Sequence, residues 1–69
     1  MANAIMRHFD DSHLKDGPLK DCFKKFAALA NDIENTIDNG PEKSAALRKL
    51  IEAKDCAMRA TVEMLDKEA

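Results

Sequence analysis

The chain has 69 residues, a net charge of −2 and 45% apolar residues, but only 4% aromatic ones. A chain this short buries little surface alone, so a disulfide, a metal or a partner chain usually supports it. The balance of 11 basic against 13 acidic residues excludes a highly basic nucleic-acid coat, and the apolar share excludes a charge-rich disordered tail.

The N-terminal piece, residues 1–17, reads Met-Ala-Asn-Ala-Ile-Met-Arg-His-Phe-Asp and onward to Gly17. It has no positive stretch followed by a long apolar run, which points to a cytosolic protein rather than a secreted one. Nowhere does an apolar run approach the roughly 20 residues that span a bilayer. His8 and His13 form no HExxH, and neither has a catalytic Ser or Cys at a known spacing. They read as surface histidines. Asp10, Asp11 or Ser12 reads as a turn cap, since no calcium loop follows.

Gly17-Pro18 and Asn39-Gly40-Pro41 contain every Gly and Pro of the chain. They divide it into three parts within one domain, residues 1–69. Between them a helix is expected over about 18–38. Leu19, Cys22, Phe23, Phe26, Leu29, Ala30, Ile33 and Ile37 recur there at spacings of three and four. Pro18 suits a first turn. Asn39-Gly40 supplies a left-handed residue to end the helix.

A second helix is expected over about 41–67, with Pro41 in its first turn and Glu42 at the positive end of its dipole. Two apolar stripes lie side by side on it. One is Ala46, Leu50, Ala53, Ala57, Ala60 and Met64. The other is Leu47, Ile51, Met58, Thr61 and Leu65, interrupted by Lys54. The two together are wider than one hairpin partner needs. Small residues also allow close axis-to-axis approach. The expected fold is therefore all-α, an antiparallel two-helix hairpin with a short N-terminal element, assembled as a homo-oligomer.

Cys22 and Cys56 form no CxxC pair, so a zinc site lacks ligands. They read as reduced, buried, small apolar side chains. No metal and no cofactor is expected. Two places could hold an anion. The run Gly40-Pro41-Glu42-Lys43-Ser44 opens a helix, where unpaired backbone N–H groups and Lys43 make a phosphate site; the plainer reading is a helix start with a solvated lysine. Lys24 and Lys25 are either surface charge or phosphate contacts, with Phe9 as a stacking surface for a base.

The run from Gly40 to Ala60, with Glu42-Lys43-Ser44 followed by Ala46-Leu47-Arg48-Lys49-Leu50-Ile51-Glu52-Ala53, resembles the second helix of a phage hairpin domain. Phe26-Ala27-Ala28-Leu29-Ala30-Asn31-Asp32-Ile33 is similar to its first helix, and Arg7-His8-Phe9 to its N-terminal element before a Pro-containing linker. The family is that of the phage anti-CBASS and anti-Thoeris hairpin sponges, and the likeness runs from Arg7 to the C-terminus.

The resemblance implies a non-enzymatic protein in the cytoplasm of an infected bacterial cell. It would sequester cyclic di- or trinucleotides such as 3',3'-cGAMP without cleaving them, and so block CBASS signalling. It also implies a hexamer of this chain, with no DNA or RNA polymer and no membrane as partner. Phe9 would stack in the dinucleotide pocket, and Lys24 or Lys25 would pair with phosphate there. Gly40 and Lys43 would face the trinucleotide pocket. The chain departs from the pattern at Asp10-Asp11-Ser12-His13, which replaces a Tyr and a His-Pro run. It departs again at Asp55-Cys56, where the family carries an aromatic. Two acids beside a phosphate pocket oppose an anion there. Two alternatives stay open: a sponge for the glycocyclic ADP-ribose signal of Thoeris, and a helical-hairpin protein-interaction module without a nucleotide ligand.

Overall fold

The computed structural model describes residues 4–68. A 3-10 helix spans Ala4–Phe9, helix α1 spans Pro18–Thr36 and helix α2 spans Pro41–Glu68. Among the described residues there is no strand. α1 and α2 pack as a two-helix hairpin, and the 3-10 helix touches both. Among the described residues no helix is long and apolar enough to cross a membrane.

The periodicity of each helix selects its inner face. Phe23 and Ala30 of α1 and Leu47 of α2 are buried. Ala30 and Leu47 share a core with Phe9 of the 3-10 helix, and Phe26, Ile33, Leu50 and Ile51 pack against it. The small side chain of Ala30 opposite Leu47 lets the helices come together at this level. Of the two stripes of α2, the Leu47 stripe faces α1. Ala46, Ala53, Ala60 and Met64 of the other stripe stay exposed, with Leu50 and Ala57 half-buried. Leu29 and Ile37, expected on the inner face of α1, are also exposed.

α1 starts at Pro18, as expected, and ends two residues earlier than expected. At the start, Gly17 has φ 148° and ψ −173°, a conformation open to glycine and strained for any other residue. Its carbonyl accepts the Asp21 N–H at 2.9 Å, the first bond of the helix. At the end, α1 stops at Thr36 rather than near Asp38, and Ile37 is extended at φ −116°, ψ 134°. Gly40 does not supply a left-handed cap, because Gly17 is the sole glycine with positive φ among the described residues. Instead Gly40 precedes α2, and its carbonyl accepts the Ser44 N–H at 3.1 Å. The carbonyls at the end of α1 are satisfied by a side chain, Lys43.

The linker between the 3-10 helix and α1 is a series of turns. The Ser12 N–H donates to Asp10 Oδ1 at 3.0 Å, and the Leu14 N–H to the Asp11 carbonyl at 3.0 Å. Asp10 therefore caps a turn, as its position before Ser12 suggests. That backbone N–H, followed by the Ser12 side chain and the charge of His13, holds the Asp10 carboxyl below its ordinary value of 3.8.

Candidate functional site

Each residue with an expected binding role can be followed from its helix to its surroundings. Lys43 sits in the first turn of α2 and is only 6% exposed. Its side chain reaches back across the hairpin turn. Nζ donates to the carbonyls of Ile37 at 2.7 Å and Glu34 at 2.9 Å, and to Asn39 Oδ1 at 3.0 Å. Glu34 Oε1 lies 3.5 Å away. An ammonium has three N–H donors, and the hairpin provides three acceptors for them. A cation at the negative end of α1 is also favoured by the helix dipole. Here Lys43 binds α1 from within.

The cleft around it, about 490 Å³ in volume, is lined by residues 34–39 and Lys43. Carboxylates from Glu34 and Asp38 and the carbonyl end of α1 give it acceptor character. Gly40, half-buried at the start of α2, lies at this same tip of the hairpin. The Cβ of an alanine at Gly40 would meet nothing within 4 Å.

Phe9 closes the 3-10 helix and is 4% exposed. Its ring packs with Ala30 and Leu47 rather than standing free for a base. Beside it is a residue to which the sequence assigned no role beyond interrupting an apolar stripe. Lys54 of α2 is 8% exposed, and its Nζ lies 4.9 Å from the Phe23 ring centre and 5.7 Å from that of Phe9. It donates to the His8 carbonyl at 3.0 Å and pairs with Asp55 Oδ1 at 3.3 Å. His13 meets the same Phe23 ring edge-on, with centroids 5.9 Å apart. The signal for Lys54 was present in the sequence: a lysine between Ile51 and Met58, the third position of the Leu47 stripe.

Lys24 and Lys25 are both exposed on α1. They lie 12 or more residues before the hairpin tip along α1, roughly 20 Å at the helical rise. The structure thus places the five expected residues in three settings. Phe9 is in the core, Lys24 and Lys25 are at the surface, and Gly40 and Lys43 are at the tip. Within the chain, the cation that faces the Phe9 ring is Lys54.

Cys22 is half-buried and Cys56 exposed, both as free thiols. Cys56 is therefore not the core residue its apolar character suggests. Its Sγ accepts from Arg59 Nη2 at 3.3 Å. Among the described residues no three His, Cys, Asp or Glu side chains are grouped to hold a metal. Comparison with family models, curated proteins and solved structures gives no match.

Proposed function

We propose that this chain is a non-enzymatic sponge. It binds cyclic di- or trinucleotide signals such as 3',3'-cGAMP without cleaving them, and it blocks CBASS signalling in the cytoplasm of an infected bacterial cell. The ligand would sit between chains of a homo-oligomer, a hexamer by the resemblance, with no polymeric nucleic acid and no membrane involved. One observation carries this reading. The three parts of the chain that resemble the hairpin sponges are the Arg7-His8-Phe9 element, the Phe26–Ile33 stretch and the Gly40–Ala60 run, and they lie on three elements that pack against one another around Phe9, Ala30 and Leu47.

Sequestration fits the chemistry of such a scaffold. A sponge must hold its ligand at nanomolar affinity, about −12 kcal/mol, and must not turn it over. Exposed Lys24 and Lys25 are available to phosphate oxygens, and a cyclic dinucleotide has two phosphates for charge-assisted bonds. A second chain would bring further groups to the same ligand. The exposed face of α2, with Ala46, Ala53 and Ala60, is a candidate seat for that chain.

A specific observation favours a second reading. Phe9 and Lys43 both have partners inside the hairpin, as in a structural module that binds a protein and no nucleotide. Calorimetry with cyclic di- and trinucleotides and cyclic ADP-ribose isomers separates the readings. A sponge binds one member at nanomolar affinity, and a combined Lys24→Ala, Lys25→Ala variant, which keeps the core, weakens binding at least tenfold. Tight binding to a cyclic ADP-ribose isomer alone would move the signal from CBASS to Thoeris. Heat from none of the panel would leave the protein-interaction module.

A further inference from the structure

We infer that Lys54 is a positioning residue, a charged clasp that fastens the N-terminal 3-10 helix, and Phe9 with it, onto the hairpin. The inference does not depend on any ligand.

The position of Lys54 makes its chemistry unexpected. Leu47, Ile51, Met58 and Leu65 share its face of α2, so an apolar residue is the default there. A lysine in that stripe loses hydration, and burial of an ammonium is unfavourable unless specific partners replace water. Two of the partners that Lys54 has come from the N-terminal helix. One is the His8 carbonyl, at the C-terminal end of the 3-10 helix, 3.0 Å from Nζ. Carbonyls at such an end have no acceptor role within the helix, and a cation satisfies them. The other is the Phe9 ring, with Phe23 of α1 offering a second face to the same ammonium.

The compensation is therefore conditional. With the 3-10 helix docked, the ammonium has a carbonyl and two rings. With it undocked, His8 and Phe9 are gone, and the long flexible stem can carry the charge out to water, where Asp55 is half-exposed beside it. An apolar side chain at position 54 would stabilise the α1–α2 pair whether or not the N-terminal helix was in place. Lysine ties its own burial to the docking of that helix. The element thus seats as a unit, with Phe9 in the core on one side and the Lys54–His8 bond on the other.

Hydrogen–deuterium exchange on the full chain tests this. Lys54→Met keeps the length and apolar character of the stem and removes the charge. Lys54→Arg keeps a cation that can donate to a carbonyl and stack on a ring. Amides of residues 5–10 are expected to exchange about tenfold faster in Lys54→Met, the factor for one charge-assisted hydrogen bond. They are expected to regain most of their protection in Lys54→Arg, while amides around Ala30 and Leu47 stay as protected as in the parent. Exchange within twofold of the parent at residues 5–10 would overturn the clasp. So would equal loosening of the whole hairpin, since Lys54 would then be general support for the core. Both readings hold on the unliganded protein, so a failure to bind nucleotides leaves this outcome unaffected.

Discussion

Gly17 and Gly40 illustrate how one residue type does two jobs. Both stand before a proline that opens a helix. Gly17 has φ 148°, where a Cβ is strained whatever space surrounds it. Gly40 has no positive φ and no neighbour within 4 Å of a built Cβ. Gly17→Ala is expected to destabilise the fold by about 1–3 kcal/mol. Gly40→Ala is expected to be neutral or to stabilise by up to about 1 kcal/mol, because alanine restricts the unfolded chain. Urea denaturation of the two variants checks this. The order of the two effects is the reverse of what the sequence suggests, where Asn39-Gly40 reads as a left-handed helix end. Composition marks a glycine as permissive. It does not say which glycine uses the freedom, because that depends on how the flanking helices meet.

At the scale of the helices, the hydrophobic period carried most of the information. The starts of α1 and α2 at Pro18 and Pro41 follow from proline's fixed φ and missing donor. The buried positions Phe23, Ala30 and Leu47 lie on the stripes that spacing predicts. The end of α1 was less legible, because its carbonyls are satisfied by Lys43 from the next helix. A side chain that reaches across a turn leaves no local sequence signature. The burial of Phe9 was not legible for a similar reason: an aromatic next to His8 and Asp10 in a short polar segment shows its place only when a core is there to receive it. Lys43→Met is expected to release the Glu34 and Ile37 carbonyls and Asn39. With bonds to a charged donor worth about 1.5–3 kcal/mol, the variant should lose about 2–3 kcal/mol. The loss should show in urea titration, with faster amide exchange in the last turn of α1. An unchanged midpoint would mean that the lysine is not a cap.

The whole molecule is a rod of 44 × 20 × 16 Å, set by the 28 residues of α2. Its accessible surface of 5019 Å² exceeds the roughly 4,300 Å² of a compact monomer of this mass. The excess is what a second helical layer could cover, and Val62 and Met64 on α2 and Leu29 on α1 are among the apolar side chains left outside. The hairpin was legible in the sequence because it follows from local periods and two turns. The setting of the expected binding residues was less legible: Phe9 is buried in the core while Lys24 and Lys25 are exposed on α1, a difference that tertiary packing makes and residue spacing does not show. The most direct test is native mass spectrometry of the full chain with and without 3',3'-cGAMP. It reads subunit number, ligand number and ligand mass in one spectrum. Sequestration calls for a homo-oligomer that carries ligand of unaltered mass after prolonged incubation. A monomer that carries none, or ligand recovered as cleaved product, would contradict it.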